Sequence, residues 1–172
     1  DTSTQTLDIF NKALKQSPLE ATRSTKQLVT MADTLGIDVN QAMADFNANM
    51  KNLSQYGDDA IKVFANLEAQ AVATGVKVGE LAGLAEKLDT FKGAATAGQQ
   101  LNAVLGGTFL SITDLVHAEP AEKIEMLKEA VSRAGLSFDT MNRRMKLVVT
   151  QAAGLGTDTL SAARIFGSEG AF

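Results

Sequence analysis

Ser111 and Asp114 lie within six residues of His117, so the three side-chain types of a hydrolase triad are present together. Side chains this close on one short helix cannot form both a nucleophile–base contact and an oxyanion hole, and a triad is defined by geometry rather than membership. His117 reads instead as a residue near a helix C-terminus, where an imidazole meets exposed carbonyls and its charge is favourable. Glu119, Glu122, Glu125 and Glu129 invite a glycosidase reading, which needs two carboxylates about 5 to 9.5 Å apart across a sugar cleft. They occupy the first turns of one helix, alternating with Lys123, Lys128 and Arg133, and such an arrangement predicts a solvated, dipole-compatible face. Gly154, Leu155 and Gly156 loosely match a phosphate loop, yet no strand precedes them and no Lys-Ser or Lys-Thr pair follows. Asp58 and Asp59 lack the spaced carboxylates of a calcium loop, and one His with no Cys cannot build a zinc site. No catalytic, cofactor-binding or metal-binding residue is expected.

Composition narrows the classes further. The 172 residues carry 20 acids against 16 bases, a net charge of −4, which disfavours nucleic acid as a main partner. A single Tyr and no Trp leave little for base stacking, and the absence of Cys excludes disulfides and thiol nucleophiles. The dense basic cluster is Arg143, Arg144 and Lys146, read as solvent-side charge that could dock an acidic partner. Residues 1–17 are polar, with Asp8, Lys12 and Lys15, and have neither the basic leader nor the apolar core of a signal peptide. A start without Met suggests a fragment or processed product, and a numbering convention explains it equally well. The uncharged stretch 93–113 is long enough to cross a bilayer, but Gln99, Gln100 and Asn102 sit inside it and Gly106 and Gly107 break it.

The elements that must position these residues are helical. Ser17, Pro18 and Glu20 form a capping-box start, and Gly36 followed by Ile37 predicts a left-handed stop. Asp38 opens the next helix, whose apolar residues Val39, Ala42, Met43, Phe46, Met50 and Leu53 keep one face. Gly57 ends it, and the following helix carries Ile61, Phe64, Ala65, Leu67 and Val72. After Gly75 come Val78, Leu81, Leu84, Ala85 and Leu88. Ala94, Ala95, Ala97 and Gly98 remove bulk from another helix and predict close helix approach. Residues 109–116 read as a short apolar helix, and Pro120 restarts the chain with Ile124, Leu127, Val131 and Ala134 buried. Ser137 is expected to cap a helix with Phe138, Met141, Met145, Val148 and Ala152 on one face, and a last helix follows Thr157 with Leu160, Ala163 and Phe166. The expectation is an all-α fold, a series of short amphipathic helices in helical hairpins with Gly-terminated turns and no sheet. Residues 1–92 would form N-terminal hairpins, and 93–172 the small-residue helix plus C-terminal helices, with one continuous helical domain as the alternative.

The stretch EKLDTFKGAATAGQQLNAVLGG (86–107), followed by AEPAEKIEMLKEAVSRAGLSFDTMNRRMKLVVTQAAGLG (118–156), resembles a region of tail tape measure proteins of long-tailed bacteriophages. The resemblance spans 73–167. It implies a structural virion protein, not an enzyme, that sets tail length during assembly, fills the tail tube and leaves ahead of the DNA at infection. It also implies a place in the tail lumen or tail tip, with other copies of the chain (a trimer by family analogy) and tail tube and baseplate hub proteins as partners. Transient contact with the host membrane on ejection is part of the same expectation, and no cofactor is. The interaction residues expected are Ala94, Ala95, Ala97 and Gly98, with Arg143, Arg144 and Lys146. The short, Gly-terminated helices depart from an extended coiled coil and suit a compact region at the tip. The alternatives are a helical adaptor or scaffold domain of a cellular protein, and a membrane-active helical protein.

Overall fold

The computed structural model describes residues 2–167. Its helices are α1 (Thr2–Lys12), α2 (Pro18–Leu35), α3 (Val39–Ala48), α4 (Met50–Leu53), α5 (Ala60–Thr74), α6 (Val78–Lys87), α7 (Phe91–Leu105), α8 (Ile112–His117), α9 (Pro120–Arg133), α10 (Arg143–Ala152) and α11 (Thr159–Phe166). Short 3-10 turns cover Ser54–Asp59 and Phe138–Thr140, and no strand occurs among the described residues. The fold is all-α.

Helix boundaries follow local chemistry. At the start of α2 the Ser17 N–H donates to Glu20 Oε2 at 2.8 Å while Ser17 Oγ accepts from the Glu20 N–H at 3.3 Å, so two orphan donors are satisfied at once. That backbone bond holds the Glu20 carboxyl below the usual range. At the other end Gly36 takes φ +69°, and the Ile37 N–H reaches back to the Ala32 carbonyl at 3.0 Å in a Schellman closure. Gly57, Gly75, Gly106, Gly135 and Gly154 also have positive φ, each at a stop expected from the sequence.

The chain forms two compact units, residues 1–69 and 70–172. The division therefore falls inside α5 rather than at 92/93. The reason is that α6 packs along α9, so its buried Leu81 and Leu84, and Leu88 just after it, belong to the core of the later unit.

In the first unit α1, α2 and α3 pack mutually around three rings. Phe46 sits between Phe10, with centroids 5.2 Å apart, and Phe64, 5.3 Å away and edge-on. All three are fully buried. The helix begun at Asp38 does not run unbroken to Gly57. Asn49 turns its amide back to the Asp45 carbonyl at 2.8 Å and leaves helical geometry (φ −99°, ψ 6°), so α3 and α4 meet at a kink. In α5 the buried stripe is Ala60, Val63, Phe64, Leu67 and Glu68.

In the second unit α7 packs on α8 and α10, and α11 packs on α9, α10 and the Phe138–Thr140 turn. Some boundaries and faces differ from expectation. The helix expected over 109–116 starts only at Ile112, because Asn102 holds the preceding loop: its Oδ1 accepts from the N–H groups of Phe109 and Leu110, both at 2.9 Å, and its Nδ2 donates to the Leu110 carbonyl. The helix expected from Ser137 starts at Arg143. Asn142 caps it by accepting from the Met145 N–H at 2.9 Å, and Met141 just before is extended. Phe138 is buried against Phe166, 6.0 Å between centroids, whereas Met141 and Met145 are half-buried and Val148 is exposed. The last helix follows Thr157 as expected, capped by Asp158, whose carboxyl the Ser161 N–H holds below the usual range. Its buried residues are Ser161, Ala162, Ile165 and Phe166, leaving Leu160 exposed. Val72, expected on a buried face, is also exposed.

Candidate functional site

The two segments singled out for interaction lie on helices that pack together, α7 and α10. On α7, Ala94, Ala97 and Gly98 are buried and Ala95 is half-buried. The small residues are used inside the chain: a Cβ placed at Gly98 would stand 3.0 Å from Ile112 Cγ1 of α8. A Cβ at Gly93 would drive into the Lys87 carbonyl oxygen, which fixes how closely the start of α7 follows α6. Of the segment, Ala95 is left partly free for a contact outside it.

On α10, Arg143 and Arg144 are exposed in the first turn. The positive end of the helix dipole disfavours cations there, so these charges oppose the helix instead of supporting it. Lys146, one turn on, holds its Nζ 5.7 Å from the centre of the Phe138 ring, a cation–π distance that anchors it. Between the two helices and the end of α6 lies an open cleft of about 350 Å³, lined by Leu88, Gly93, Ala97 and Ala152 with Lys87 and Lys92. Lys87 Nζ donates to the Gly154 carbonyl at 2.9 Å, and both residues also line a second cleft of about 290 Å³, whose lining includes Glu80 and Asp158.

Ser111, His117, Glu122, Glu125 and Glu129 have partners within the chain. Ser111 Oγ caps α8 by accepting from the Asp114 N–H at 3.3 Å, and the His117 Nδ1–H donates to the Thr113 carbonyl at 2.8 Å. Glu122 accepts from the Glu119 N–H at 3.1 Å at the start of α9, Glu125 accepts from the Gln70 side chain, and Glu129 pairs with Arg133 in solvent. Gly154 and Leu155 direct their N–H groups back to the Gln151 and Thr150 carbonyls, the geometry of a helix stop. Among the described residues no group of three or more His, Asp or Glu is placed to hold a metal ion, and no helix is long and apolar enough to cross a membrane.

Lys123 departs from the solvated face expected of its helix. It is 1% exposed, and its ammonium binds Asp89 at 2.8 Å and donates to the Val116 carbonyl at 3.0 Å and the Leu88 carbonyl at 3.3 Å. One cation thereby joins α9 to the C-terminal ends of α6 and α8. Glu68 is the second ionisable group that sequence reasoning missed, buried on the apolar stripe of α5. The signal was available in both cases, as a charge standing three or four residues from buried apolar neighbours.

No protein-family model, curated protein or solved structure matches the chain.

Proposed function

We propose that the chain is a structural, non-enzymatic segment of a tail tape measure protein of a long-tailed phage, acting through helix packing in the tail lumen or at the tail tip. The observation that carries this reading is the resemblance over 73–167, a stretch that coincides with the second compact unit, residues 70–172. Further support comes from the side chains of Ser111, His117 and Glu122, which are engaged in capping and local helix bonds. Arg143 and Arg144, exposed where they oppose their own helix, are suited to an acidic surface on a hub protein or a neighbouring copy. In a narrow lumen ringed by symmetric proteins, several parallel copies (three by family analogy) would place such faces together.

Peptide mass spectrometry of purified particles before and after DNA ejection tests the proposal. Peptides of this chain are expected in filled particles and depleted from emptied ones; their absence from filled particles would contradict it. The small-residue helix gives a finer test. Ala97→Leu should lower the stability of the chain itself by about 1 to 3 kcal/mol through overpacking. Ala95→Leu should change stability by no more than about 0.5 kcal/mol yet impair tail assembly when placed in the phage genome. Normal tails and infectivity with Ala95→Leu would remove α7 from the contact.

A further inference from the structure

We infer that the second unit carries both halves of a contact between copies of this chain: Phe91 and Lys92, at the start of α7 in one copy, seat in the cleft beside Gly83 of α6 in another. The receiving side is the cleft of about 290 Å³ whose lining includes Glu80, Gly83, Leu84, Leu155 and Asp158. Gly83 lies inside α6, where glycine weakens a helix relative to alanine. A Cβ placed there would meet nothing within 4 Å, so no internal packing requires the missing side chain. The gap is left for something outside the chain.

The charge of the cleft selects what fills it. Two carboxylates, Glu80 and Asp158, face one ammonium, Lys87, whose Nζ is already held by the Gly154 carbonyl at 2.9 Å. The balance is negative. Ser161 Oγ lies 3.2 Å from Glu80 Oε2 and 2.7 Å from Asp158 Oδ2, but a hydroxyl has a single proton to give. One carboxylate oxygen therefore remains open to a cation.

The chain itself presents the matching group. Phe91 is 68% exposed and Leu160, two residues beyond Asp158, is 62% exposed; among the described residues they are the most exposed large apolar side chains of this unit. Lys92 is exposed in the first turn of α7, where the helix dipole disfavours a cation, and among the described residues it forms no ion pair. Seating Phe91 against Leu84, Leu155 and Leu160 of a second copy takes the ring out of water and brings Lys92, the next residue, to Glu80 and Asp158. Because one unit holds both the projecting pair and the cleft, every copy can give and receive. The contact deepens the packing of several copies proposed above and rests on that reading for where it operates.

Sedimentation equilibrium of the purified full 172-residue chain tests it without particles, so a failure here leaves the mass-spectrometric test of the tail assignment standing on its own. The wild type should self-associate below about 0.1 mM. Lys92→Glu and Glu80→Lys should each weaken association about tenfold or more, and an equimolar mixture of the two should restore it, because each charge then meets its opposite. Gly83→Leu favours the helix while filling the cleft, and should weaken association in a chain that circular dichroism shows to be folded. A wild type that stays monomeric at about 0.1 mM would overturn the contact and leave the cleft to another partner or to none. So would association that Lys92→Glu or Gly83→Leu leaves unchanged in a folded chain, or a mixture that fails to restore it.

Discussion

Lys123→Ala is expected to destabilise the second unit by about 3 to 5 kcal/mol, the usual cost of removing one partner from a buried charged pair. Three acceptors lose their donor together: the Asp89 carboxylate and the carbonyls of Leu88 and Val116. The two carbonyls belong to helix ends, where backbone oxygens have no intrahelical partner and burial without one costs about 1 to 3 kcal/mol each. Asp89 is 29% exposed and can partly rehydrate, which keeps the total from rising further. Lys123→Met restores most of the lost volume but none of the hydrogen bonds, and should lie below Lys123→Ala by the cavity contribution. Urea denaturation followed by far-ultraviolet circular dichroism measures both. A loss under about 1 kcal/mol for Lys123→Ala would mean that water replaces the ammonium without penalty.

Phe46→Ala should cost the first unit about 3 to 5 kcal/mol. The ring is fully buried and touches two others, so truncation removes its own apolar burial and both aromatic contacts, one of them edge-on to Phe64. Phe46→Leu keeps most of the volume and should cost less than Phe46→Ala, the difference measuring how far the core can relax around a smaller group. Thermal unfolding of the two variants checks this. Equal losses would show that ring geometry, not volume, sets the cost, and no loss would remove the three-ring cluster as the centre of that core.

Much of this architecture is legible in the residues because its determinants are local. Ser17 with Glu20, Asp38 with Gln41, and the glycines at helix ends act over three to six residues, and the backbone follows them. Expectation and structure part where two local signals compete. Apolar spacing carried a helix through Ser137 to Ala152, but Asn142 is the better cap and takes the start for itself. Apolar spacing likewise carried the Asp38 helix past Asn49, whose side chain competes for the Asp45 carbonyl. The division at 69/70 was not legible, since it depends on which distant helix α6 joins.

The candidate site was legible in part. Ala94, Ala97 and Gly98 are buried within the chain, and Gly98 lets α7 approach Ile112 of α8; sequence cannot tell such an internal neighbour from an external one. Alternation along the sequence makes the charges of α9 look like one class. Lys123 differs because its position falls between Pro120 and Ile124 on the buried stripe, and only packing brings the Leu88 and Val116 carbonyls to it.

Cryo-electron microscopy of the intact particle whose genome encodes this chain tests the tail assignment most directly. The helices of the second unit should appear within the tail lumen or at its tip, in several symmetric copies, with the exposed face bearing Arg143 and Arg144 against an acidic surface. A resolved tail and tip whose density is fully accounted for by other proteins, or recovery of the chain in a cellular assembly instead of a particle, would contradict it.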